Sequence, residues 1–233
     1  MNVFNSPIKI QVEVFAILLI VSFVFLFLFF VNRALKNTDV TQKPKGLVLI
    51  VLIYYKFMLQ LTVDNMGKKA GRVYAPYIAT IALFMVISNL SGLIGLAQPT
   101  ANLSVTLSLA LISWILIQST KFRTQGYKAY FHGFIEPIPP FIIPNFFGTI
   151  APLISMSLRL FGNITSGGTI MTLVYVFTEF LSSFVPLIGG FNFVGVIVAP
   201  VLHFYFDVFS GFIQTYIFIM LTTIFVGNEL PQE

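Results

Sequence analysis

The chain has 233 residues, 57% of them hydrophobic and only 9% charged, with a mean hydropathy of +0.93. Soluble domains carry about 25% charged residues, so too little charge is present to keep a surface solvated, which excludes a soluble enzyme and a disordered chain. The net charge of +5 does not mark a nucleic-acid surface either, because the bases cluster as membrane topology signals do.

Taken in order, the first predicted element is a membrane helix over about 10–32, apolar apart from Glu13 near its start. It is too long for a signal peptide and has no small-residue cleavage pattern after it. Eight bases follow between Arg33 and Arg72, among them Lys43, Lys45, Lys56, Lys68 and Lys69. Inside this basic region, 46–66 is apolar but interrupted by Lys56, and both of its flanks are basic. It is expected to lie in the plane of the cytoplasmic interface rather than to cross.

From Val73 to Thr120 there is no charge at all. Gln98-Pro99-Thr100-Ala101-Asn102 divides this run into membrane helices over about 74–97 and 103–121, joined by a turn. Lys121, Arg123 and Lys128 form the second basic cluster. Two long helices complete the chain, about 144–181 and 191–228, separated by Pro186 and Gly189-Gly190. The expected fold is an all-α polytopic membrane protein, one membrane domain over 1–233, with five membrane helices and one in-plane helix. Five crossings put the N-terminus outside, both basic clusters inside and the C-terminus in the cytoplasm, as the positive-inside rule requires.

The polar residues of the last two helices stand out against this background. Arg159 has 22 uncharged residues before it and 19 after it, too far from either interface to snorkel. A central arginine costs about 2.5–3.5 kcal/mol on insertion scales, and its pKa above about 12 prevents escape by deprotonation. Such residues mark ion pathways; the alternative is an arginine paired inside the bundle. Ser155, Asn163 and Ser166 fall within about 40° of it on a helical wheel, and Gly162, Gly167 and Gly168 leave the helix thin enough for a close neighbour.

On the last helix His203, Asp207, Ser210 and Gln214 are spaced 4, 3 and 4 and share about 60° of arc. A lone histidine on an apolar helix is usually a packing residue, but one turn from an intramembrane aspartate it suits a proton relay. Glu179 adds a third acid, either part of that path or simply interfacial. The sequence has no phosphate loop, metal-ligand cluster or nucleophile with its base. Arg159 also lacks a partner acid at its own depth, which suggests a carboxylate on another chain. A self-contained secondary transporter with an anion site around Arg159 and Asn163 is the alternative reading.

The run Ser157-Leu158-Arg159-Leu160-Phe161-Gly162-Asn163 resembles a signature of subunit a of the F-type ATP synthase membrane sector. Phe212 to Phe218 followed by Leu221-Thr222 resembles that family's other signature, and Pro44-Lys45-Gly46 and Pro99 to Leu107 agree more weakly. The resemblance implies a bacterial plasma-membrane stator subunit that moves protons, with no catalytic chemistry and no cofactor or metal of its own. It implies a ring of c subunits, each with a membrane carboxylate that Arg159 attracts, and a peripheral stalk containing subunit b. Gln214 would lie beside Arg159, the last two helices would tilt along the ring, and two offset half-channels would reach the two sides. Two departures matter: many bacterial members place glutamate where Gly168 stands and histidine where Asp207 stands, and the acids often found before the arginine motif are absent from Asn145 to Leu158. Asp207, with His203 and Glu179, is then expected to form the outer half-channel.

Overall fold

The computed structural model describes residues 12–36, 44–184 and 191–231, and every regular element among them is helical. The Pro186 and Gly189-Gly190 break, Lys9, Lys43 and the first residues of the opening helix lie outside the described residues. The elements are α1 (Val12–Lys36), α2 (Gly46–Met66), α3 (Lys68–Leu90), α4 (Leu103–His132), α5 (Ile142–Ser183), α6 (Phe193–His203) and α7 (Ser210–Asn228). A six-residue π turn, Phe204–Phe209, joins α6 to α7 without a break. Six helices, counting the rod Phe193–Asn228 as one, are long and apolar enough to cross a membrane. Large apolar side chains such as Phe25 (69% exposed) and Ile50 (70%) point outward, as they do when the outer solvent is hydrocarbon rather than water.

Gly67 alone separates α2 from α3, and its φ of 79° is the region that glycine enters without a Cβ penalty. The two helices then run antiparallel: Tyr54 Oη donates to the Ala79 carbonyl at 2.6 Å. Gly71 makes the close approach possible, because a Cβ there would stand 2.6 Å from the Val63 Cα. The sequence places α2 in the membrane plane, whereas the structure gives it the inclination of α3, so the two cross or tilt together. Lys45 and Lys68 stand at opposite ends of α2, and both flanks can share one membrane face only if the whole hairpin inclines strongly.

The 91–102 connection is tight and polar. Pro99 opens a short 3-10 turn, and the Asn102 side chain accepts from the Ser104 N–H at 2.9 Å to cap α4. α4 was expected to end near residue 121 but continues to Gln125, where Gly126 (φ 77°, ψ 167°) turns the chain back. Phe122 then packs edge-on against Tyr127 and Tyr130, and Tyr130 Oη reaches Gln118 Oε1 at 3.1 Å. α5 runs antiparallel to α4, tied by Trp114 Nε1 donating to the Thr149 carbonyl (2.7 Å) and by Thr106 and Ser157 hydroxyls 3.4 Å apart.

The core lies where α3, α4, α5 and α7 meet, around Ile78, Met85, Ala110, Met156, Leu160 and Ile219. α7 descends along α3, from Asn89 opposite Gly211 to Asn65 opposite Thr223. Lys121 Nζ lies 3.6 Å from Glu229 Oε1, so the end of α7, the Gly67 turn and the second basic cluster share one end of the bundle. α1 runs antiparallel to α3, with Ile20 beside Leu90 and Phe27 beside Pro76 and Ala79 across apolar clefts.

Candidate functional site

The site forms where α5 crosses the rod of α6, π turn and α7. Arg159 is exposed on α5, and its Nη2 lies 3.4 Å from Ser155 Oγ, one turn before it. Among the described residues no carboxylate comes within ion-pair distance of the guanidinium. A permanent positive charge therefore stands on the outer face of an apolar helix with a single weak internal partner. Ser166 Oγ turns back to the Asn163 carbonyl at 3.1 Å, so it is satisfied within its own helix.

Asn163 and Ser210, from the two separate polar stripes, are brought together: Asn163 Nδ2 donates to Ser210 Oγ at 2.6 Å. His203 and Asp207 also meet, Nδ1 to Oδ2 at 2.6 Å, half a helix further along the rod. Sequence reasoning did not single out Tyr175, whose Oη lies 2.8 Å from His203 Nε2. Glu179 is exposed on α5, one turn beyond Tyr175.

The π turn was not anticipated, and it changes the stripe on the last helix. Its i→i+5 bonds, such as Ser210 N–H to the Tyr205 carbonyl, insert one extra residue and rotate everything after it by about 100°. The four residues that share 60° of an ideal helix are thereby divided. His203 and Asp207 face α5, while Gln214 turns into the bundle and is only 6% exposed. Among the described residues no hydrogen bond joins Gln214 to Arg159.

The glycines of α5 also behave differently from expectation. A Cβ on Gly167 would rest 3.5 Å from the Phe206 ring, so that glycine does admit a close neighbour. Gly162 and Gly168 face open space within 4 Å, so no helix of this chain uses their thinness.

Between the two helices lies a small cavity of about 50 Å³ lined by Asn89, Gln98, Asn163, Gly168, Asp207 and Gly211, among others. It is polar and has room for a few waters at roughly 10–15 Å³ each. Asn89 anchors its wall. This side chain is 2% exposed; its Nδ2 donates to the Gly211 carbonyl (3.0 Å) and Thr215 Oγ1 (3.3 Å), and its Oδ1 accepts from Thr100 (2.9 Å). Gln98 Nε2 adds a bond to the Asn89 carbonyl at 2.9 Å. Asn89→Leu is expected to strand the Thr100 hydroxyl and loosen the start of α7, at about 1–3 kcal/mol per orphaned group. A lowered thermal midpoint of the detergent-solubilised protein checks this; an unchanged midpoint would show that water replaces the amide.

Comparison with known proteins places this geometry in a family. Residues 14–227 match the family described as ATP synthase A chain. The chain belongs to that family. It is 34% identical over 224 residues to an ATP synthase subunit a of Mycoplasma genitalium, covering 90% of this chain and 76% of the relative. It is 30% identical over 227 residues to an ATP synthase subunit a of Streptococcus pneumoniae serotype 19F, covering 93% and 89%. As an ATP synthase A chain family member, it holds Arg159, Asn163 and Gln214 inside the matched region, and the match extends over all six candidate membrane helices.

Proposed function

We propose that this chain is the stator half of the proton pathway in the membrane sector of a bacterial F-type ATP synthase. One observation carries the reading: Arg159 is a fixed charge exposed on an apolar helix with no carboxylate partner of its own. The missing partner is the membrane carboxylate of a c subunit. That acid, once deprotonated, is attracted to Arg159; once protonated, it is neutral and can enter lipid as the ring turns. Arg159 also blocks a proton from passing straight between the two sides, since a second positive charge next to it is electrostatically disfavoured.

His203, Asp207 and Glu179 form the outer half-channel, and the polar cavity beside Asp207 leads its proton towards Asn163, Ser210 and the Arg159 face. Ser155 and Ser166 line that face, and Gln214 supports it from within the bundle. Each charge crossing 100 mV yields about 2.3 kcal/mol, so several crossings are needed for each ATP. α5 and the α6–α7 rod lie tilted along the ring in this reading, and subunit b fixes the chain against rotation.

The packing supports an orientation. The Gly67 turn, the Lys121–Lys128 cluster and the end of α7 share one end of the bundle, which the positive-inside rule makes cytoplasmic. α1 begins at the opposite end, beside Leu90, which puts the N-terminus outside. Mild-detergent purification of the tagged chain should recover a c-ring and subunit b in a single complex. A monodisperse single chain that transports an anion on its own would instead favour the self-contained transporter.

A further inference from the structure

The bond that holds His203 from outside its own helix belongs to a residue that the proposed pathway has not yet used. Tyr175 Oη lies 2.8 Å from His203 Nε2, while His203 Nδ1 lies 2.6 Å from Asp207 Oδ2. The three side chains form one chain of hydrogen bonds from α5 to the π turn, ending at the carboxylate that lines the polar cavity.

The position of Tyr175 on α5 is not isolated. Gly168, Thr172, Tyr175 and Glu179 are spaced 4, 3 and 4, so they form a second stripe, about 160–200° around the helix from Arg159. Gly168 lines the cavity with Asp207, and its own face is open. The Thr172 hydroxyl is spent on the Gly168 carbonyl at 2.9 Å. Tyr175 is therefore the side chain of this stripe that reaches the histidine, and Glu179 is the acid one turn beyond it. α5 thus presents one polar face to the arginine's partner and another to His203.

We infer that Tyr175 is a positioning residue of the outer proton path, fixing which ring nitrogen of His203 carries the proton. The inference rests on the half-channel reading given above. A phenol can donate or accept by rotating one bond. With neutral His203, the Tyr175 hydroxyl donates to Nε2, which leaves the hydrogen on Nδ1, where it donates to the Asp207 carboxylate. With protonated His203, Nε2–H donates to the Tyr175 oxygen and Nδ1–H still donates to Asp207. Both charge states keep every bond, so the ring can take up and release a proton without turning over. The charged and titratable groups facing the imidazole are Asp207 from its own helix and Tyr175, with Glu179 behind it, from α5.

The test uses the assembled complex in lipid vesicles, comparing wild type, Tyr175→Phe and Asp207→Asn. Proton-driven ATP synthesis is one readout, and the ¹⁵N spectrum of labelled His203 is the other. Tyr175→Phe keeps the ring and its packing but removes the hydroxyl. We expect synthesis to fall roughly two- to tenfold, the worth of one net hydrogen bond, and the His203 signal to change from one neutral tautomer to a mixture. If Asp207→Asn slows synthesis while Tyr175→Phe changes neither readout, the role of Tyr175 is overturned and the half-channel stands. If Asp207→Asn also leaves synthesis unchanged, the half-channel reading itself fails.

Discussion

Arg159→Ala is expected to abolish ATP-driven proton pumping by the assembled complex while the chain still inserts and co-purifies with its partners. The two halves of this result have separate physical causes. Within the chain, Arg159 has only the 3.4 Å contact to Ser155, so little internal structure depends on it. Removing a central arginine also relieves about 2.5–3.5 kcal/mol of insertion cost, so the variant should enter the membrane at least as readily. Function is another matter, because no other cation lies on this face of α5 between Asn145 and Glu179. Nothing then attracts the ionised acid of the ring or keeps protons from slipping past it. Arg159→Lys separates charge from geometry, since lysine is a compact charge that can lose its proton when buried. The decisive measurement is quenching of a pH-sensitive dye in inverted vesicles. Pumping retained by Arg159→Ala at wild-type rate would remove the arginine from the pathway.

The second large effect is expected at Asp207. Asp207→Asn preserves size and hydrogen-bonding capacity but cannot bind and release a proton near neutral pH. The asparagine still reaches His203 Nδ1 through its oxygen, so the local structure should persist. The pair is partly exposed, 36% and 20% for the two side chains, and an ion pair of that kind contributes little to folding. A transfer group, in contrast, is worth roughly 10²–10⁴ in rate where proton movement limits turnover. Proton-driven synthesis should fall by at least about tenfold, with an unchanged thermal midpoint. A midpoint that falls in step with activity would instead assign Asp207 a structural role.

Arg159 and Asp207 were legible in the sequence because charge is so scarce there. Among 21 charged side chains, Lys plus Arg 13 and Asp plus Glu 8, most sit at helix ends or in basic clusters with a topological reason. The apolar helices were equally legible, since a run such as Val73 to Thr120 has no charge to place in water. The pairing of α2 with α3 was not, because it depends on the left-handed backbone of Gly67 and the bare face of Gly71 rather than on hydropathy. Asn89 was likewise one uncharged amide in a long apolar run, and only the approach of Gly211 and Thr100 shows what it holds. Tyr175 was hidden for a different reason. Tyrosine is common here, with nine in the chain, and its importance comes from a partner 28 positions away. The split of the last polar stripe could not be read at all, because helical spacing assumes 3.6 residues per turn throughout.

The wide turn at Phe204–Phe209 also bears on how this chain is compared with its relatives. Beyond it, each side chain points where its neighbour would in a regular helix. A relative that lacks the extra residue per turn brings a different alignment column to the place Ser210 occupies here. Exchanging residues between two such proteins by column alone would then transplant the right letter onto the wrong face. Chimeras of the last helix should be cut on the N-terminal side of Phe204, so that the widened turn and everything it rotates move together.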